Sequence, residues 1–182
     1  MRRVLVCCLV LAVSLPLLAL KIRNFEQLAI EQRRVVSAYC RLDFQGARLS
    51  PEGWDHMRNL TIFRENPDFV SFFVVLRYQL IETHVPTAQL SVAYTVIGRY
   101  EDGAGYTPMP PVVRNVAFEL HDQNGELRIS GIDPDTPFVS RNATIDWLKA
   151  KLVTQNDMRH RVPIEAAIKA LEAQTPGAPA SK

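Results

Sequence analysis

The chain has 182 residues, 47% of them apolar and 22% charged, a composition that excludes intrinsic disorder and fits one globular domain with short extensions. Its formal charge of +2 resides in Arg2 and Arg3, and beyond them basic and acidic side chains balance. A neutral domain has no long-range field to draw in a phosphate backbone, which sets nucleic acid aside as a partner.

Arg2-Arg3 is followed by seventeen residues without a charge, Val4 to Leu20, and then by Lys21. A basic start, an apolar middle and a polar exit make residues 1–20 a secretory signal or membrane anchor. As a helix this segment would span ~26 Å, slightly short of a ~30 Å hydrocarbon core, which favours cleavage by a small margin. Against cleavage, Leu17-Leu18-Ala19 is the nearest approach to a small-x-small site. The expectation is an exported chain, periplasmic or secreted, touching a membrane only through residues 4–20 where these are retained. Cys7 and Cys8 lie inside the segment, so Cys40 has no intrachain disulfide partner. A lone cysteine on a helix reads as a small core residue.

From Ile22 to Phe44, Phe25, Leu28, Ala29, Val35, Val36, Tyr39 and Leu42 recur at spacings of three and four, one face of a long helix that Gly46 ends. Ser50 caps a short second helix with Pro51 in its first turn and Trp54, Met57 and Leu60 as its buried stripe. After Pro67 the β-branched and aromatic run from Asp68 to His84 reads as a long strand, broken at Val85-Pro86. A second strand, Gln89 to Tyr100, alternates with Leu90, Val92, Tyr94 and Val96 inward. The stretch Glu101 to Pro111, heavy in Gly and Pro, predicts an eleven-residue loop.

Asn124-Gly125 then joins two strands, because both central residues of a type I′ turn need positive φ. A two-residue turn sets Leu120 opposite Ile129, His121 opposite Arg128 and Glu119 opposite Ser130. His121 and Glu119 thus fall on a solvated face, while Phe118 and Leu120 point inward. A helix is predicted from Asn142 to Val153, capped by Ser140 or Asn142, and another from Pro163 to Ala173. Residues 174–182 lack apolar anchors and read as a loose tail.

The nucleophile-elbow, phosphate-loop, Cys-x-x-Cys and His-Glu-x-x-His signatures are missing, and His56, His84, His121 and His160 show no ligand spacing. No cofactor or metal is implied. Arg114 falls at an inward position, and the same register sets Asp133 opposite Val116, diagonal to it. A charge there must pair, face a wet cavity or lie beyond the edge of the core. Tyr78 and Tyr94 also point inward and could offer hydroxyls. These four are the candidate pocket-lining residues; the competing reading makes the charges strand ends and the tyrosines core.

Two helices followed by long strands, with "LSVAYTVIGRY" and "ELHDQNGELRISGID" near the end, resemble the nuclear transport factor 2-like superfamily. Leu127-Arg128-Ile129 stands where that family typically has Trp-x-Ile. The resemblance covers about Phe25 to Asp133. It implies an α+β fold, a cystatin-like cone in which a curved antiparallel sheet wraps a long N-terminal helix across residues 22–153, with added C-terminal helices. Family enzymes such as ketosteroid isomerases carry an acidic or Asp–His set inside the cone, for which this chain has no matching positions. The favoured expectation is a non-catalytic exported binding domain, its partner a small apolar ligand, another protein or a second copy. The alternatives are an isomerase- or dehydratase-like enzyme using Asp133 with Tyr78 or Tyr94, and a membrane-anchored component of a secretion or envelope system.

Overall fold

The computed structural model describes residues 26–84 and 89–174; the apolar segment 4–20, Phe25, the Val85-Pro86 break and residues 175–182 lie outside them. Helix α1 covers residues 26–44 and stops where Gly46 adopts φ 83°. A single 3₁₀ turn, Ala47–Leu49, leads into α2, Pro51–Met57, where Ser50 Oγ accepts from the Gly53 N–H at 3.0 Å. Strands β1 (Ser71–His84), β2 (Gln89–Glu101), β3 (Gly105–Gln123), β4 (Glu126–Asp133) and β5 (Phe138–Ser140) precede helices α3 (Arg141–Thr154) and α4 (Met158–Ala173).

The strands form one strongly curled sheet in the order β4-β3-β2-β1-β5. It is mixed rather than purely antiparallel, because β5 runs parallel to β1 with Phe73 beside Phe138. Its concave face closes on α1 and α2: Val36, Tyr39, Cys40 and Met57 meet Leu90, Tyr94, Phe118 and Ile129, all buried. The outer face, however, is wet at one end of the strands, where Arg77 and Gln79 of β1 and Glu119 and His121 of β3 are exposed. At the other end Phe72, Val74, Ile97 and Val139, which alternate with the concave set, pack against Leu148, Ile164 and Leu171 of α3 and α4. The C-terminal helices therefore complete a second core rather than decorate the first.

Four more expectations are corrected. The predicted loop 101–111 is a tight turn followed by strand, with β3 starting at Gly105. Prolines are tolerated there because β4 pairs only with residues from Ala117 onward, so this half of β3 is a sheet edge. The β2 ladder also skips from Val96↔Val112 to Gly98↔Pro108, leaving Met109 to Pro111 in an irregular stretch. Tyr106 anchors the strand, its hydroxyl donating to Ile97 O at 3.0 Å and lying 2.9 Å from Gln174 Oε1. Gly98 makes room for that ring: a Cβ there would lie 2.3 Å from Tyr106 Oη. We expect Gly98→Ala to cost about 1–3 kcal/mol by overpacking, read as a lower urea midpoint at unchanged slope.

Helix α4 begins at Met158, capped by Asp157, and takes Pro163 into its interior instead of starting there. Gln174, placed in the loose tail, is tied down by Tyr106 and by the Arg141 guanidinium on its carbonyl.

The Asn124-Gly125 turn forms as the dipeptide demands, with φ 58° and 85°. Leu120 and Phe118 are buried and His121 and Glu119 exposed, so the pleat of β3 is as expected. Past Ile129 the register slips: Glu119 pairs with Gly131, and Ser130 is the extra residue of a β-bulge. Asp133 consequently sits opposite exposed Ala117, not inward-facing Val116.

Candidate functional site

The four residues singled out from the sequence do not share a cavity. Tyr94 is fully buried, its hydroxyl 3.0 Å from Cys40 Sγ and its ring stacked on Phe138. Tyr78 is half-buried between Phe44 and Tyr94. Arg114, opposite Tyr94 on β3, is exposed and lays its guanidinium over the Phe73 ring at 4.6 Å. Asp133 is exposed on the outer face, turned there by the bulge. Cys40 is the core residue its isolation implied: burial pushes its thiol up to about 12, which makes it a poor nucleophile.

A charged cluster that periodicity does not reveal lies at the C-terminal end of α1. Arg48, 1% exposed, donates to Asp135 Oδ1 at 2.9 Å, to Tyr39 Oη at 3.4 Å and to Asn66 Oδ1 at 3.3 Å. Asp43, 2% exposed, accepts from the Phe138 N–H at 2.9 Å. Burial pushes the Asp43 carboxyl up to about 6, against the pull of Arg48 and of that N–H. Burial likewise opposes the Arg48 charge, but Tyr39, Asp43 and Asp135 outweigh it and hold the guanidinium above its ordinary value. One Asp43 oxygen and one Arg48 nitrogen have no hydrogen-bond partner. A perturbed carboxylate beside an arginine has the look of acid–base machinery. Here both are almost wholly buried, and what they do is tie α1, the 3₁₀ turn, the segment before β1 and the segment before β5 together.

Two surface concavities flank the segment that follows α2. One, of about 450 Å³, has Arg48 in its floor and Trp54, Phe69, Asp55 and Glu65 around it, so its charges are mixed. The other, of about 340 Å³, runs beside β4 and is walled by Arg58, Arg64 and Arg128, with the amides of Asn59 and Gln123 between them. Its apolar part is Ile62 and Phe63, and no acidic side chain lines it. Local sequence places these arginines simply: Arg58 follows the last turn of α2, Arg64 lies on the extended segment beyond it, and Arg128 alternates outward from Leu127 and Ile129 on β4. The segment is held against the sheet by a parallel bridge, Thr61 to Ile129, with the Ile62 N–H donating to Ile129 O at 2.9 Å. Sequence reading missed this groove because Arg128 lies 64 residues beyond Arg64 in the chain and each arginine alone reads as ordinary surface.

Comparison of the chain with family models, with curated proteins and with solved structures finds no match.

Proposed function

We propose that this chain is a non-catalytic interaction domain on a nuclear transport factor 2-like cone, exported by residues 1–20, whose partner is another protein. The observation that carries this reading is the filled concave face. In a cone enzyme or small-ligand carrier that face opens into a chamber; in this chain Leu90, Val92, Tyr94, Phe118 and Phe138 pack there against α1 and α2. The enzyme alternative relies on Asp133 with Tyr78 or Tyr94, groups that stand on opposite faces of the sheet or inside its core.

Titration with a panel of small uncharged apolar ligands tests the reading. None should raise the melting temperature, since the packed concave face leaves them no chamber. A rise of several degrees with one ligand would restore the open-cone reading. The anchored-component alternative is favoured by the seventeen uncharged residues 4–20. Mass spectrometry of the exported protein decides that point, because a chain starting near Leu20 has lost its anchor.

A further inference from the structure

The geometry points to the arginine-walled groove as a docking site for an acidic peptide segment of a partner protein; this deepens the interaction-domain reading and rests on it. From residue 21 onward the chain is charge-balanced, yet the groove concentrates three guanidiniums and no carboxylate. Arg58 and Arg128 reach out to Asp55 and Glu126, each at 3.2 Å, across exposed pairs that hold them weakly. No carboxylate of the described residues lies within ion-pair distance of Arg64. The Nε of Arg128 is shut off from solvent and has no hydrogen-bond partner. Guanidiniums are planar forks matched to carboxylates, and three of them on three separate elements fit several spaced carboxylates better than one compact ion.

The backbone adds a reason to choose a peptide. Strand β4 is the outermost strand of the sheet, and away from β3 its described backbone meets only the Thr61 to Ile62 segment, at Ile129. Because strand backbone groups alternate, the Leu127 N–H and C=O point the same way as those of Ile129, towards the groove. An extended segment lying there gains main-chain hydrogen bonds from the edge while its acidic side chains reach the arginines. Phe63 and Ile62 give such a segment apolar contact as well.

The test is fluorescence anisotropy with labelled hexaglutamate, its hexaglutamine counterpart, and inorganic pyrophosphate as competitor. Hexaglutamate should bind and hexaglutamine should not, with affinity falling as salt is added. Arg64→Gln and Arg128→Gln should each weaken binding about 10-fold, while Arg159→Gln, exposed on α4, should leave it unchanged. All three sites are partly or wholly exposed, so melting curves should overlay wild type, and Arg58→Gln provides a further variant. The proposal is overturned by equal binding of hexaglutamine, by an equal loss in Arg159→Gln, by no binding of hexaglutamate, or by pyrophosphate displacing it at lower concentration than unlabelled hexaglutamate. If hexaglutamate does not bind but cross-linking of the exported chain still yields a specific protein partner, the groove assignment alone falls. If an apolar ligand occupies the cone, the interaction-domain reading falls with it.

Discussion

Replacing Arg48 by Met is expected to destabilise the domain by about 3–5 kcal/mol, the range for leaving a buried charge without its compensating cation. The effect does not come from one lost contact. Asp43 would remain 2% exposed with no cation nearby, and the hydrogen-bond acceptors of Asn66, Tyr39 and Asp135 would lose their common donor. Against a typical domain stability of about 5–15 kcal/mol this is a large fraction, read as a fall in melting temperature on the order of 10 °C. The double variant Arg48→Met/Asp43→Asn should recover part of the loss, because it removes the orphaned charge while leaving an oxygen to accept the Phe138 N–H. Urea unfolding of wild type and the two variants checks this. A cost below about 1 kcal/mol for Arg48→Met would mean that the guanidinium does not hold this corner of the fold.

Acidification from pH 7 to pH 4 should stabilise the wild type relative to Asp43→Asn by about 2 kcal/mol. The Asp43 carboxyl titrates at about 6 in the folded chain against an ordinary value of 3.8. Between those two values the folded state holds a proton that the unfolded state has shed, so lowering the pH through this window favours folding. Above pH 6 both states are ionised and the advantage is gone; below about 3.8 both are protonated and it no longer grows. Taking the difference from Asp43→Asn cancels the titration of the many surface carboxylates. Denaturant midpoints at pH 7, 6, 5 and 4 for both proteins give the measurement. A difference that stays flat, or that shrinks on acidification, would show that Arg48 and the Phe138 N–H outweigh burial.

The two predictions concern the same charged cluster, and together they describe why it is there. Buried charges are a poor source of net stability, since well-packed apolar residues do as well. Arg48 instead joins segments that are distant in sequence: its carboxylate partner Asp135 is 87 residues away. It fixes where β5 enters beside β1, and with it where α3 begins. The parallel strand and the outer-face core both depend on that placement.

Local signals in the chain were enough for several elements. Ser50 and Ser140 cap α2 and α3 as their positions imply, with Oγ accepting at 3.0 and 3.2 Å. The Asn124-Gly125 turn, the inward set Leu90, Val92, Tyr94 and Val96, and the solvated placing of His121 and Glu119 all follow from alternation and turn chemistry. Turn and helix-cap chemistry acts within a few residues, which is why a single sequence displays it.

Four features depended instead on distant contacts. Pro108 to Pro111 look like a loop until one knows that their strand lies at a sheet edge. The bulge at Ser130, which sends Asp133 outward, leaves no mark in an otherwise regular run of residues. Asp135 carries no local sign that it is the partner of a buried arginine. The groove needs Arg58, Arg64 and Arg128 brought together from a helix end, an extended segment and a strand. Periodicity records which face of an element is apolar, and so the residues alone established the helices, the hairpin and the concave core. Whether a charged or proline-bearing segment is buried, paired or left at an edge depends on what another part of the chain places against it. Desolvation costs are met only by those partners, and the assembled fold alone decided them.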